Sequence, residues 1–368
     1  MQTHNIPWSR KTLSATIALG ALATLAHGQS TAASAPGPAM QTPRLFAVLP
    51  DACPTPDGMA IAPDGELVVA CPNYADPSQP ACLIKIGKDR KVRPWVNVPV
   101  LPDSGVACPM GIEFGPDGDL YVCDNQGWPG DAKGQFKGRI LRLRIKDNQV
   151  VSTTVVAEGM EHPNGVRVHD GQLYVTQSLM SKVKDPSGCL LSGVYRFPLD
   201  AREVKVANTL ADANLITTLI TRNAECQYGA DGLAFDKAGN LYVGNFGDGA
   251  IHKITFGADG KVAANIVWAV NLKEMRTTDG ISFDDSGNLY VADFSENAVA
   301  VVTPDATVHR IAKSPDSDGS KGELDQPGEP ILWNGKLIVT CFDKVTGPDK
   351  VNTKHDKPYT MVELEPLK

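Results

Sequence analysis

The sequence lacks the features that mark several protein classes. Its formal net charge is −7, whereas proteins that bind nucleic acids carry a positive balance that neutralises phosphates. The apolar run LSATIALGALATL at 13–25 is too short to span a membrane, which takes about 20 residues. Its eight cysteines include no CxxC pair, so a zinc site or a thioredoxin-like motif is not expected. The sequence therefore predicts neither a nucleic-acid partner nor a membrane span.

The N-terminal residues match a secretory signal peptide at 1–28. Arg10 and Lys11 form a basic start, 13–25 form the apolar centre, and AHG at 26–28 offers small residues for cleavage. The following polar, alanine-rich residues are predicted to form a disordered leader at 29–43. We expect a secreted, periplasmic protein with no membrane attachment after cleavage, folded over residues 44–368.

One short sequence recurs along the chain at intervals of 48 to 67 residues. The copies are TPDGMAIAPDGELVVACPN from Thr55, CPMGIEFGPDGDLYVCDN from Cys108, HPNGVRVHDGQLYVTQS from His162, GADGLAFDKAGNLYVGNF from Gly229, TTDGISFDDSGNLYVADF from Thr277 and the divergent QPGEPILWNGKLIVTCF from Gln326. Each copy alternates apolar residues around a turn rich in Asp, Asn and Gly, which is typical of a β-hairpin.

Two further strands are predicted after each hairpin, and no helical segment of note separates them. In the second copy they are RILRLRI and STTVVAEG, and in the third the fourth strand is predicted at 204–210 (VKVANTL). Four strands per repeat predict an all-β, six-bladed β-propeller with four-stranded blades. The sixth repeat ends after its third strand, so residues 44–50 (RLFAVLP) are predicted to close the last blade and remove two sheet edges.

The innermost strand of each blade would line a central channel, with the residue before each anchor glycine at one end of it. The anchor glycines are Gly58, Gly111, Gly165, Gly232 and Gly280. The residues before them are Asp57, Met110, Asn164, Asp231 and Asp279, and the sixth repeat offers Glu329. Carboxylates that share a partly dry funnel must protonate, separate or bind a cation, and an all-oxygen set suits Ca²⁺. The alternative is that Asp and Asn before Gly are only turn residues that bond nearby backbone.

The repeats resemble NHL-type repeats and the regucalcin/gluconolactonase family, with its relatives the paraoxonases and diisopropylfluorophosphatases, over residues 44–366. The resemblance implies a six-bladed propeller with one divalent cation, usually calcium, in the channel. That ion would polarise an ester, lactone or phosphotriester.

The family motifs carry over unevenly to this chain. PNGV implies that Asn164 is a metal ligand, and ADGLAF and TDGISF imply the same for Asp231 and Asp279. The family's glutamate ligand belongs to the first blade, where this chain has Asp57, while the matching GEPILW lies in the sixth. The fourth ligand is therefore Asp57 or Glu329. Where paraoxonases have a catalytic His in PHGI, this chain has PMGI with Met110, which argues against a base of that kind.

The expected function is hydrolysis of a lactone or related ester, a small-molecule substrate, with Asp231 or Asp279 as general base. Two alternatives remain: a non-catalytic propeller that binds a ligand or protein, and a lyase or strictosidine-synthase-like enzyme.

Three long loops, at 125–137, 178–189 and 208–228, are predicted on the ligand face. We expect the substrate pocket to include Met110, Trp128, His162 and Tyr228. Three aromatic residues at equivalent positions after the second strand are predicted to pack between blades: Phe246, Phe294 and Phe342. Export permits disulfides, and the predicted pairs are Cys189 with Cys226, in two insertions, and Cys82 with Cys108.

Overall fold

The computed structural model describes residues 37–72, 74, 76, 78–127 and 132–368. The predicted signal peptide at 1–28 and residues 29–36 of the predicted leader lie outside these residues. Gln41, near the end of the predicted leader, is hydrogen-bonded to the folded domain. Its backbone N–H donates to Ile311 O at 2.7 Å, and its side-chain amide donates to Glu365 O at 2.9 Å.

The described residues form 25 strands and one short 3-10 helix. In chain order the strands are β1 (Arg44–Val48), β2 (Met59–Ile61), β3 (Leu67–Cys71), β4 (Cys82–Ile86), β5 (Val92–Asn97), β6 (Pro109–Phe114), β7 (Leu120–Asp124), β8 (Gly138–Lys146), β9 (Gln149–Met160), β10 (Pro163–His169), β11 (Gln172–Lys184), β12 (Leu190–Pro198), β13 (Val204–Lys205), β14 (Leu215–Ile220), β15 (Ala230–Phe235), β16 (Leu241–Asn245), β17 (Ala250–Phe256), β18 (Val262–Val270), β19 (Ile281–Phe283), β20 (Leu289–Asp293), β21 (Ala298–Val302), β22 (Val308–Lys313), β23 (Pro327–Trp333), β24 (Lys336–Cys341) and β25 (Thr360–Leu364). The 3-10 helix covers Phe294–Glu296. Among the described residues, no helix has the length and apolar character needed to cross a membrane.

The strands form six antiparallel sheets, one per repeat, in a ring. The first blade holds β2 to β5, the second β6 to β9, the fourth β15 to β18 and the fifth β19 to β22, each in sequence order. The third blade uses β10, β11, β12 and β14, and the sixth uses β23, β24, β25 and β1. The predicted six-bladed β-propeller is therefore confirmed. Each repeat's hairpin turn contains a glycine at positive φ, between 71° and 87°, as its turn residues indicate.

The last blade is closed by the N-terminal strand, as predicted. β1 pairs antiparallel with β25, with Arg44 opposite Glu363 and Val48 opposite Thr360. Phe46 is 6% exposed and packs edge-on against Trp333 of β23, with ring centroids 5.9 Å apart. The two ends of the folded chain thus share one sheet and one core.

The predicted fourth strand of the third blade, at 204–210, is wrong. Only Val204–Lys205 is extended, and it pairs in parallel with β9 of the second blade, with Val204 opposite Ala157. The Asn208 side chain then donates to Gly159 O at 2.7 Å and fastens this segment to the second blade. The actual fourth strand is β14 (LITTLI), from inside the predicted loop at 208–228. Its run of β-branched and apolar residues suits pairing in a sheet better than VKVANTL does.

The predicted disulfides are not formed. None of the eight cysteines, all of which the structure describes, takes part in a disulfide, so the pairs Cys189–Cys226 and Cys82–Cys108 are wrong. Cys82 begins β4 and lies opposite Cys71 of β3, and its sulfur is 3.9 Å from Cys53 Sγ. The hairpin of the first blade therefore directs Cys82 into that blade's own core, whereas Cys108 belongs to the next blade.

The anchor glycines bring neighbouring inner strands into backbone contact around the channel. A Cβ atom placed on any of them would lie within 3.0 Å of the next blade's backbone, a distance that real Cβ atoms do not show. The nearest backbone atoms would be Met110 O at 2.3 Å from Gly58, Asn164 O at 2.5 Å from Gly111, Asp231 O at 2.7 Å from Gly165, Asp279 O at 2.5 Å from Gly232 and Glu329 Cα at 2.7 Å from Gly280. The repeat keeps glycine here because no side chain fits.

Closure of the ring through β1 predicts a stability difference between two residues of that strand. We expect Phe46→Ala to lower the free energy of unfolding by about 3 to 5 kcal/mol, because the buried ring leaves a cavity beside Trp333. Val48→Ala is the matched control, since Val48 is 51% exposed, and it should change stability by about 0.5 kcal/mol at most. Urea unfolding followed by tryptophan fluorescence measures both. Equal stability of the two variants would contradict closure by β1.

Candidate active site

Four polar residues from the inner ends of four blades meet in the channel: Asp57, Asn164, Asp231 and Asp279. We call them the channel ring. They form the floor of a cavity of about 660 Å³ that opens on one face, and they also line a small cavity of about 20 Å³ further inside. Met110 lines only the large cavity, whereas Glu329 lines only the small one. The channel ring therefore separates an open chamber from the interior of the propeller.

The channel ring is held together by side-chain contacts between blades. Asn164 Nδ2 donates to Asp231 Oδ1 at 2.7 Å. The carboxyl groups of Asp231 and Asp279 are in turn within hydrogen-bonding reach of each other. Two carboxyl groups can share a hydrogen bond only while one of them holds a proton. The protein groups around the ring thus do not fully offset the negative charge that its carboxylates would carry.

Burial is the main cause of the electrostatic strain in the channel ring. Together with the Glu329 carboxylate it raises the pKa of Asp231 to about 7, although hydrogen bonds with Asp279 and Asn164 oppose the rise. Burial and neighbouring carboxylates raise the pKa values of Asp57 and Asp279 well above their usual range. Carboxylates in this state take up protons or a cation. All the potential ligand atoms in the ring are oxygens, apart from the Asn164 amide nitrogen, and oxygen ligands suit a hard cation such as Ca²⁺. By this chemistry the ring fits a divalent cation.

The spacing of the ring is wider than that of a closed metal cage. Among the described residues, two clusters bring three ligand atoms within 4.8 Å of one another, and neither includes a channel-ring carboxylate. A cation at the ring would complete its coordination with water or substrate, as Ca²⁺ sites commonly do. An open coordination sphere is what a catalytic ion needs.

Glu329 is already engaged by other groups. Its Oε1 accepts from Arg167 Nη2 at 2.5 Å, and its Oε2 accepts from the Met59 N–H at 2.8 Å. Arg167 also lies 3.8 Å from Glu113 Oε2. Burial raises the pKa of Glu113 to about 7, although Arg167 opposes that rise. Beneath the channel ring there is therefore a second charged layer, in which the Arg167 guanidinium supplies the positive charge.

Sequence reasoning missed Arg167 and Glu113, although the repeat contains a signal for them. Both lie two residues after an anchor glycine, and Arg167 lines the small inner cavity. The register of both strands shifts at that glycine, so simple alternation from the preceding residue does not apply. The other four blades have uncharged residues there: Ala60, Ala234, Ser282 and Ile331. Opposite charges at this position in two neighbouring blades indicate an ion pair inside the channel.

The walls of the large cavity combine polar and aromatic surfaces. Met110, His162 and Tyr228 line it, and His162 packs edge-on against Tyr228 with ring centroids 5.3 Å apart. Burial lowers the pKa of His162 to about 4, so this imidazole is neutral at neutral pH. Trp128, the other predicted pocket residue, lies outside the described residues.

Three phenylalanines, each from a different blade, form one continuous wall of the cavity: Phe246, Phe294 and Phe342. Ring centroids are 5.6 Å apart between Phe246 and Phe294 and 5.8 Å apart between Phe294 and Phe342. The predicted packing between blades is observed, and the same rings also face the cavity.

The segment 342–359, between β24 and β25, supplies a further part of the wall. Val345, Pro348, Asp349 and Lys350 from this segment line the cavity. Sequence reasoning identified long loops in the second and third repeats but missed this one. The signal was the long interval between the LIVTC strand and the final YTMVELEP segment.

Comparison with known proteins shows where this fold recurs. No protein-family model matches the sequence, and no curated protein does either. Among solved structures, a gluconolactonase from Xanthomonas campestris has a TM-score of 0.55 at 16% identity and covers 90% of this chain and 98% of its own. The calcium-binding protein regucalcin from Agrobacterium tumefaciens has a TM-score of 0.57 at 15% identity, covering 89% and 95%. A PQQ-bound aldose sugar dehydrogenase from Streptomyces coelicolor has 0.56 at 16%, covering 89% and 99%.

These likenesses concern the fold. Gluconolactonase and regucalcin are the family that the repeats resemble, so the resemblance is confirmed at the level of architecture. The dehydrogenase shares that architecture and is named for a different reaction. The chemistry of this chain must therefore be argued from its own channel residues.

The ion pair beneath the channel ring gives a prediction about stability. We expect Arg167→Met to lower the free energy of unfolding by about 3 to 5 kcal/mol, because Glu329 would remain buried without its partner. The double variant Arg167→Met/Glu329→Gln should recover most of that loss. Arg202→Met is the matched control, since Arg202 is exposed and bonds only to its neighbouring carbonyl. Thermal or urea unfolding measures all three; a wild-type value for Arg167→Met would show that the pair is dispensable.

Proposed function

We propose that this protein is a divalent-cation-dependent hydrolase of a small lactone or related ester, with calcium as the expected ion. One observation carries the proposal: two buried aspartates, the half-buried Asp279 and an asparagine meet on the floor of a cavity of about 660 Å³. The gluconolactonase-like architecture supports it. A cavity of this volume suits a small molecule, which favours an enzyme over a module that binds another protein.

The cation would be held by Asn164, Asp231 and Asp279, with Asp57 as the fourth ligand. Asp57 faces the large cavity, whereas Glu329 lies deeper and is occupied by Arg167 and the Met59 N–H. When bound, a divalent cation supplies Lewis acidity towards a carbonyl oxygen and favours deprotonation of water. Its charge would also offset the repulsion within the channel ring.

Asp231 is the favoured general base. A neighbouring positive charge lowers a carboxyl pKa, so Asp231, with a pKa that burial raises to about 7, would be ionised at neutral pH with a cation beside it. Its carboxylate is oriented by Asn164 Nδ2, which lies 2.7 Å from Oδ1, and would accept the proton of an attacking water. Asp279, within hydrogen-bonding reach, is the alternative base.

The cavity walls would orient the substrate and exclude water. The apolar face of a lactone ring would lie against the phenylalanine wall, and its polar edge would face the channel ring. His162 is neutral, so it can accept or donate one hydrogen bond to a substrate oxygen or water without adding charge.

Removal and return of the ion give the first test. In protein treated with chelator, we expect added CaCl₂ to raise the melting temperature, with a stabilisation of about 2.7 kcal/mol at a hundred times Kd. The variant Asp231→Asn/Asp279→Asn should lose about 2.7 kcal/mol of stabilisation by calcium, which is the share that the channel ion supplies. Asp259→Asn/Asp285→Asn removes the same charge from exposed turns and should respond like the wild type. An unchanged calcium response in the channel variant would rule out an ion at the ring.

Turnover gives the second test. On a panel of aldonolactones and simple esters, Asp231→Asn should lower kcat by about 10²- to 10⁴-fold, because the general base is lost. Asp285→Asn, at an exposed turn of the fifth blade, should retain wild-type kcat. Calcium-loaded wild-type protein that hydrolyses no lactone or ester on the panel would contradict the hydrolase proposal and favour a ligand-binding role.

A further inference from the structure

A second acidic cluster lies in the sixth blade, apart from the channel ring. Asp325 precedes β23, and Asp343 and Asp356 belong to the segment 342–359. One carboxylate oxygen from each lies within 4.8 Å of the others. Asn352 joins them, with Nδ2 at 3.4 Å from Asp343 Oδ1. We call these four residues the blade-six cluster.

Two oxygens of this cluster are buried without a partner. Asp325 is 2% exposed and Asn352 is 1% exposed. Asp325 Oδ1 and Asn352 Oδ1 find no hydrogen-bond donor among the described residues. Buried polar atoms are normally paired, and an unpaired carboxylate oxygen is costly. These atoms therefore indicate a ligand that satisfies acceptors, which means a donor or a cation.

The positive groups around the cluster do not reach Asp325. His355 Nδ1 is 3.4 Å from Asp343 Oδ2, which also accepts from the Asp356 N–H at 3.1 Å. Lys354 contacts Asp356 from the solvent side. Burial and the neighbouring Asp343 and Asp356 carboxylates raise the pKa of Asp325 to about 8. The ionised form of Asp325 is thus disfavoured, because no cationic side chain among the described residues contacts it.

We propose that the blade-six cluster binds a second divalent cation, of the hard, oxygen-seeking class to which Ca²⁺ belongs. Oxygens that share one Ca²⁺ at about 2.4 Å can be at most about 4.8 Å apart, which matches the spread of the three carboxylates. Three carboxylates and an amide oxygen would supply four ligands, and water would supply the rest. Nothing in this assignment depends on hydrolase activity or on the channel ion.

The second cation would attach one wall of the active-site cavity to the propeller. Asp325 leads into the inner strand β23, while Asp343, Asn352 and Asp356 belong to the segment that contributes Val345, Asp349 and Lys350 to the cavity. This attachment would add to bonds already present, in which Gln326 Oε1 accepts from the N–H groups of Lys344 and Val345 at 2.8 Å and 2.7 Å. The ion would therefore set the position of the wall without touching the substrate.

The choice of variant follows from the contacts. Asp343 orders the segment through His355 and the Asp356 N–H, so it is left intact. Asp325→Asn/Asp356→Asn removes two ligand charges and breaks only the exposed contact with Lys354. In chelator this variant should be at least as stable as the wild type, because a buried, uncompensated carboxylate is gone. Asp325→Asn alone serves as a second variant.

Calcium stoichiometry by equilibrium dialysis of the full chain tests the proposal. We expect two ions per wild-type protein, one for Asp325→Asn/Asp356→Asn, one for Asp231→Asn/Asp279→Asn and none for the fourfold variant. Asp318→Asn/Asp285→Asn, at exposed positions, is the charge-matched control and should keep two. A cluster variant that binds as many ions as the wild type overturns the proposal. If the channel ring binds no ion, the wild type should bind one ion fewer, namely the ion that depends on Asp231 and Asp279. The blade-six cluster variant should then still bind one ion fewer than the wild type.

Limited trypsin cleavage at Lys344, Lys350 and Lys354 gives an independent readout. Calcium at nine times Kd should slow cleavage of the segment about tenfold in the wild type, because binding makes local opening rarer by that factor. The channel variant should keep this protection, and both cluster variants should lose most of it. Calcium protection that persists in Asp325→Asn and in the double cluster variant would overturn the assignment, whatever the outcome of the activity assays.

Discussion

The close approach of inner strands around the channel is the constraint on which the rest of the molecule depends. Five blades have a glycine where the backbone of the next blade leaves no room for Cβ. In the second, third and fourth blades the strand register shifts at this glycine, so the contact also determines where the residue before the glycine and the residue two positions after it can lie. The same short repeat thus builds the ring of blades and places polar side chains in the channel. One layer of them lies at the mouth of the channel and another lies beneath it.

The two layers differ in how their charge is offset. In the lower one, Arg167 and the Met59 N–H satisfy Glu329 within the chain. In the upper one, no cationic side chain in the described part of the chain forms an ion pair with Asp57, Asp231 or Asp279, and all three have raised pKa values. An acidic site whose charge is not offset lowers the stability of the ligand-free protein. Because a bound cation relieves that repulsion, the same arrangement favours cation binding. The blade-six cluster repeats that arrangement at the edge of the same cavity.

Much of the fold and of the channel ring could be predicted from the sequence, because each copy of the repeat predicts one blade and six blades close into a ring. The hairpins, closure by residues 44–50 and the meeting of Asp57, Asn164, Asp231 and Asp279 all follow from aligned copies. The strand at 204–210 was misplaced because insertions break the period, and Val204 pairs with a strand of a different blade. The disulfide predictions failed because the spacing of cysteines along the sequence does not show which of them lie close together in the fold, as Cys82 and Cys53 do. The 342–359 wall was missed although the long interval before the final strand was a signal for it.

Closure of the sixth blade has a consequence for the order in which the protein can fold. During synthesis β1 is made before every other strand of the propeller, yet its partner β25 is made last. Until then the ring stays open, and the edges of β1 and of the incomplete sixth sheet remain available to other chains. Contacts between such distant segments slow folding. Completion of the propeller, and with it of the channel, therefore waits for the synthesis of β25.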